Sequence, residues 1–142
     1  MCSSDLTAKI AIDSDCLVKA IVQGGLIKQA DFGGVLFHYN STKLTKKSKQ
    51  NLQFLAPLLV NTKEIALYGY TQTNLKSRAS KIANKILAKR RTIAVRKYLK
   101  SLGVTGNFKL IGKGAVNPAS KKHQYKNRRV TIKVKYLPPV AV

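Results

Sequence analysis

Acidic residues are what this chain most lacks. It has 5 Asp and Glu against 27 Lys and Arg, a formal net charge of +22 over 142 residues. After Asp31 the only acid is Glu64, while 24 of the 27 basic residues lie beyond Phe32. A chain with one carboxylate in that stretch has no acid pair for general acid–base work. Cysteine is nearly absent too: Cys2 and Cys16 form no CxxC pair, and His38 and His123 lie far apart. Ligand spacing for a zinc site is therefore missing. No Ser/His/Asp set is credible, and no Gly-rich phosphate loop of the G-x-G-x-x-G or Walker type occurs. No metal, cofactor or catalytic residue is expected, and the chain reads as a non-enzyme. No apolar run approaches the roughly 18–20 residues of a membrane-spanning helix.

The length fits one domain with one core, and 44% hydrophobic residues suffice to build it. The positive field attracts polyanions of any kind: nucleic acid, anionic lipid or acidic wall polymers. Lysine outnumbers arginine, and lysine is a hydrated point charge, so most of these residues read as a soluble surface. CSSDL, at residues 2–6, equals a one-frame translation of a common sequencing-adapter stretch. It is set aside as a cloning or assembly scar, or the mark of a chain cut from a longer reading frame. Whether Cys2 and Cys16 are native, or paired, stays open. Residues 1–32 carry the acids that the rest lacks and read as the end of a longer upstream segment plus a linker, with a strand near Ala8 to Ile12.

From Gly33-Gly34, read as a chain break, the periodicities give a sequence of elements. Residues 35–37 read as a short buried strand. Thr45 is placed to cap a helix running to about Leu59, with Leu52, Leu55, Ala56 and Leu59 on one face. Pro57 predicts a kink or a displaced last turn. Residues 65–70, IALYGY, are uncharged and read as a strand buried on both faces. The longest helix is expected from Ser80 to Leu102, its stripe formed by Leu87, Ala94, Tyr98 and Leu102 with Ile86, Val95 and Leu99 beside it, and Gly103 as its stop. A strand over 108–111, a polar loop over 113–126 and a strand over 128–136 complete the chain. In the last strand Val130, Ile132, Val134 and Tyr136 alternate with polar residues. The order β-α-β-α-β-β predicts an α/β (α+β) sandwich, a mixed sheet covered by two helices. The domain is expected over residues 33–137, with a tail at 138–142.

Arg91 does not fit its place. It lies on or beside the stripe that should face the sheet, where an unpaired guanidinium is very costly. Either it snorkels to the rim or pairs with a helix-end carbonyl, or it lines a cleft and grips a carboxylate with its planar fork. The scarcity of acids in the chain favours an external anion.

The stretches VLFHYNSTKLT, IALYGYTQ, NKILAKRRTIAVRKYLKSLGV, KLIGKGAVNP and KNRRVTI, taken together, resemble the OmpA-like peptidoglycan-binding domain over roughly residues 33–136. The resemblance implies the same sandwich and non-covalent binding of a peptidoglycan peptide stem. It implies that Arg91 grips the carboxylate of a diaminopimelate residue. The family's Gly-His-Thr-Asp motif, whose aspartate holds the ligand ammonium, falls on Gly69-Tyr70-Thr71-Gln72. The acid is thus replaced by Gln72, with Thr71 and Thr73 on either side. Asn40 is implied at the rim, Leu87 one turn before Arg91, and Asn127 and Arg128 at the cleft edge. The loop between Gln72 and Leu87 is about four residues longer than is usual in the family. The implied partner is peptidoglycan or another anionic wall polymer, or a different ligand following loss of the aspartate. The implied place is the cell envelope (periplasm, outer membrane or wall), reached by an export signal upstream of this fragment. Membrane association is expected only through an upstream anchor. A nucleic-acid-binding basic module is the alternative, disfavoured because the basic residues are scattered and no nucleic-acid motif is visible. A membrane-surface role for the lysine-rich helix ranks third, since a sandwich would use its apolar stripe for the core.

Overall fold

The computed structural model describes residues 18–23, 26–60, 62–72, 78–116 and 118–135. The chain builds strand β1 (Val18–Gln23), β2 (Leu26–Leu36), helix α1 (Lys46–Leu59), β3 (Glu64–Tyr70), α2 (Arg78–Ser101), β4 (Asn107–Gly114) and β5 (Arg129–Lys135). A 3₁₀ turn at Gln124–Asn127 precedes the last strand. The five strands form one mixed sheet in the order β1-β2-β5-β3-β4. β3 and β4 are parallel and joined through α2; the other neighbours are antiparallel. The expected β-α-β-α-β-β order is present from β2 onward. The strand expected near Ala8 lies outside the described residues.

Two expectations about the start of the domain change. The sheet does not begin after Gly33-Gly34, because β2 runs straight through the glycines and β1 pairs with it as a hairpin. The glycines mark a bulge instead. Phe32 faces Ile132 and Val35 faces Val130, so β2 spends three steps where β5 spends two. An extra residue in one strand is tolerated most readily where no side chain must be packed. Phe37 lies just past the strand but stays buried.

β3 is not buried on both faces. Ile65 and Leu67 are buried, while Ala66 and Tyr68 are only partly covered. The reason is that both helices pack on the same side. Leu52, Leu55, Leu59, Val95 and Leu99 share one core with Phe32, Val35, Ile65, Leu67, Val130, Ile132 and Val134. Among the described residues no helix covers the other face of the sheet. There Lys113 and Lys133 lie over the Tyr68 ring, and Arg129 lies over Tyr70 at 3.9 Å. Val130, Ile132 and Val134 alternate inward as expected; Tyr136 lies outside the described residues.

Helix α1 starts at its expected cap. The Thr45 hydroxyl accepts from Ser48 N–H at 3.0 Å, satisfying one orphan donor of the first turn. The helix continues two residues beyond Pro57. Helix α2 shows the larger departure. Its buried row is Asn84, Ala88, Arg91, Thr92, Val95 and Leu99. The predicted stripe residues Leu87, Ala94, Tyr98 and Leu102 are half-buried, and Ile86 is exposed. Close packing decides this rotation. A Cβ on Gly69 of β3 would stand 2.1 Å from the Ala88 carbonyl oxygen, so the helix presents its small residues to a glycine of the sheet. At the far end Gly103 adopts φ 95°. Gly103 N–H donates to the Lys100 carbonyl and Val104 N–H to the Leu99 carbonyl, the paired bonds of a Schellman stop.

Candidate functional site

Both β3 and β4 end at one edge of the sheet, and β5 begins there. The turn between β2 and α1 folds over the same edge. Tyr39, Asn40, Thr71, Gln72, Asn84, Leu87, Arg91 and Arg128 line a cleft of about 40 Å³. That volume suits a headgroup rather than a whole ligand, since drug-sized sites run to several hundred Å³.

Arg91 forms the floor. It is fully buried, yet among the described residues it has no carboxylate partner. Its guanidinium donates to three backbone carbonyls: Nε to Ser41 at 3.0 Å, Nη1 to Tyr70 at 3.1 Å and Nη2 to His38 at 3.1 Å. The planar fork thereby bolts the β2–α1 turn and the end of β3 to the middle of α2. Its carbon Cζ also stands 5.2 Å from the centre of the Phe37 ring. Both readings of Arg91 left open by the sequence therefore hold in part. It pairs with carbonyls, though not those of a helix end, and it lines a cleft. The fork has further N–H groups beyond these three.

Arg128 forms one wall. Nε donates to the Phe37 carbonyl at 2.9 Å, and Nη1 to Gln72 Oε1 at 3.3 Å. Burial pushes the Arg91 pKa down to about 10, and the charge on Arg128 adds to the fall. Both effects mean that positive charge is held here against its preference. An anion entering the cleft would relieve it. Among the described residues no carboxylate lines the cleft. Glu64 opens β3, at the opposite end of that strand from Tyr70.

Asn84 is the residue that sequence reasoning missed. It is 6% exposed, lines the cleft, and its Nδ2 has no hydrogen-bond partner among the described residues. A buried amide donor without an acceptor is costly unless a ligand completes it. The available signal was spacing: Asn84 precedes Arg91 by seven residues, two helical turns on the same face. Tyr39 was missed as well; it lies at the mouth, 64% exposed. Beside it Asn40 has φ 51°, the left-handed region that asparagine tolerates better than most residues. Such a conformation lets the turn reverse over the cleft.

The structure thus gathers Asn40, Thr71, Gln72, Leu87, Arg91 and Arg128. It does not place Asn127 with them. Asn127 is fully buried; its Oδ1 accepts from Ser120 N–H at 3.0 Å, and its Nδ2 donates to Ser120 O and Gln124 Oε1. It braces the loop before β5, because the 3₁₀ turn directs it inward. Thr73 lies outside the described residues. Arg129 points to the opposite face of the sheet, where burial lowers its pKa and the neighbouring Tyr70 acts against that fall.

Comparison with known proteins agrees with this architecture. The OmpA-like domain of FopA1 from Francisella tularensis is 20% identical, with 99% of this chain and 91% of that chain covered and a TM-score of 0.75. The cell wall anchor of the T6SS from Pseudomonas aeruginosa is 20% identical, covering 86% of this chain and 88% of that chain, with a TM-score of 0.66. The peptidoglycan-associated lipoprotein from Burkholderia pseudomallei is 21% identical, covering 78% and 88%, with a TM-score of 0.57. These likenesses establish a shared fold. No curated protein matches the sequence. The family profile described as OmpA family matches residues 36–131, which span every cleft-lining residue, and the chain belongs to that family.

Proposed function

We propose that this chain is a non-catalytic cell-envelope domain whose cleft binds peptidoglycan by a carboxylate of the peptide stem. The observation that carries this reading is the pairing of Arg91 and Arg128 around a small cleft that no carboxylate lines among the described residues. Asn84 supports it, with an amide donor awaiting an acceptor in the same cleft. The guanidinium N–H groups not used by the carbonyls and Gln72, with the Asn84 amide, are the donors available to a carboxylate there. Relatives in fold include a peptidoglycan-associated lipoprotein and a cell wall anchor. The corresponding place for this domain is the envelope, between membrane and wall.

The ammonium side of a diaminopimelate ligand is less well served. Gln72 stands where the family pattern has an acid, and its Oε1 already accepts from Arg128. A charged hydrogen bond exceeds a neutral one by about 1 kcal/mol, so the stem is held chiefly by its carboxylate. The positive surface supplies long-range attraction to anionic wall polymers. The test is sedimentation with purified sacculi at physiological salt. Retention of the wild type, lost in an Arg91→Ala, Arg128→Gln double variant that still folds, is the expected result. Wild-type protein remaining in the supernatant would overturn the proposal. A sharper preference for duplex DNA than for sacculi, with a steep salt slope, would favour the nucleic-acid alternative instead.

A further inference from the structure

Helix α2 has a second apolar row that the core does not use. Ile82, Ile86 and Ile93 are 55%, 49% and 39% exposed. At about 100° per residue these three fall within about 40° of one another, on the side opposite the buried row of Ala88, Arg91, Val95 and Leu99. The row extends for roughly 16 Å along the helix. Lys85, Lys97 and Lys100, all exposed, flank or extend it. This feature arises from the rotation of α2 described above. Because Ala88 seats on Gly69 with Arg91, Val95 and Leu99 turned to the sheet, the three isoleucines are turned outward.

We propose that the outer face of α2 is a docking surface for an anionic lipid bilayer, lying in the plane of the headgroups. Among the described residues no helix is long and apolar enough to cross a membrane, and this one has instead the make-up of an interfacial helix. The isoleucines decide between partners. A nucleic acid or a wall polymer offers anions but no apolar phase, so it would use the lysines and leave the isoleucines in water. Aliphatic side chains have no ring to stack on a base. A bilayer takes both: the isoleucines enter the acyl boundary while the lysine stems lie along it with their ammonium groups among the headgroups. The charge is complementary, since the chain carries a formal +22. Each lysine near an anionic surface adds roughly a fivefold gain in partitioning. The cleft lies on the other side of the same helix, through Asn84, Leu87 and Arg91, so lipid contact and cleft occupancy do not exclude each other.

The experiment is co-sedimentation of the full 142-residue chain with vesicles at physiological ionic strength. One set contains phosphatidylglycerol in phosphatidylcholine and the other phosphatidylcholine alone. Binding is expected to the first set and not the second. The Ile82→Ser, Ile86→Ser, Ile93→Ser triple variant is expected to bind on the order of tenfold more weakly, at unchanged melting temperature. The Lys85→Gln, Lys97→Gln, Lys100→Gln variant is expected to weaken comparably and to lose part of its salt dependence. Failure of the wild type to bind anionic vesicles overturns the proposal. So does a triple serine variant that binds as the wild type does, which would mark a purely electrostatic surface open to any polyanion. Sacculus retention is measured in parallel and is expected to be unchanged in the triple serine variant. The vesicle result stands or falls whatever that measurement gives.

Discussion

Arg91→Met tests the reading of the cleft most directly, because the side chain ties the fold together and lines the proposed site at once. Methionine keeps most of the apolar stem but removes the charge and every donor. Three carbonyl bonds are lost, to Ser41, Tyr70 and His38. A hydrogen bond to a charged group contributes about 1.5 kcal/mol at the lower end of its range, so the gross loss is about 4.5 kcal/mol. Against this stands the cost of keeping the buried guanidinium charged. Its pKa falls to about 10, a shift corresponding to about 3.5 kcal/mol. The net destabilisation is then about 1 kcal/mol, equivalent to a melting temperature lower by roughly 3–5 °C in a domain of this size. The assay is urea and thermal unfolding of both proteins across pH. The folded-state pKa lies below the unfolded one, so the native state releases its proton first. The stability penalty of the charged group is therefore fully present below pH 10 and is relieved as the pH rises beyond it. The wild type should gain about 1 kcal/mol on the variant between pH 9 and 11, with the lysines cancelling in the difference. A variant as stable as the wild type at pH 7, or one that gains on it as the pH rises, would refute the argument.

Three further outcomes follow from the same geometry. Asn84→Leu removes a donor that has no partner, so the ligand-free protein should keep or gain stability, by up to about 1 kcal/mol, while sacculus retention falls. Unfolding and sedimentation on one preparation check both halves. Gln72→Asp restores a charge on the ammonium side. Retention on diaminopimelate-type sacculi should rise roughly fivefold, the equivalent of about 1 kcal/mol, read by titration against sacculus mass. Gly69→Ala drives a methyl group toward the Ala88 carbonyl oxygen at 2.1 Å, and should cost about 3 kcal/mol or more by denaturant unfolding.

The fold was largely legible because its signals are local. Thr45, three residues before Ser48, forecast the start of α1; Gly103 forecast the end of α2; the alternation of Val130, Ile132 and Val134 forecast β5. What was misjudged depended on contacts distant in sequence. Gly33-Gly34 looked like punctuation, yet a partner strand almost a hundred residues away turns it into a bulge. IALYGY looked doubly buried, yet Ala66 and Tyr68 on its outer face are only partly covered, and no property of the six residues reports which layers exist. The site was partly legible: Arg91 betrayed itself as a charge on an apolar stripe. Asn84 did not, because a polar residue in a helix is ordinary until packing buries it. Asn127 misled for the converse reason, since its position beside Arg128 did not reveal that a 3₁₀ turn sends the two side chains to different places.

The sequence by itself determined the order of elements from β2 onward, the positive field and the shortage of acids, which among the described residues leaves two arginines facing no carboxylate in the cleft. Those follow from periodicity, capping chemistry and composition, which need no partner residue to be read. The tertiary structure alone decided how α2 is rotated. Periodicity gives a helix an apolar side but not the angle at which it docks. The close approach of Ala88 to Gly69 and the three carbonyls around Arg91 fix that angle. The same rotation sets Asn84 and Arg91 in the cleft and leaves Ile82, Ile86 and Ile93 facing water.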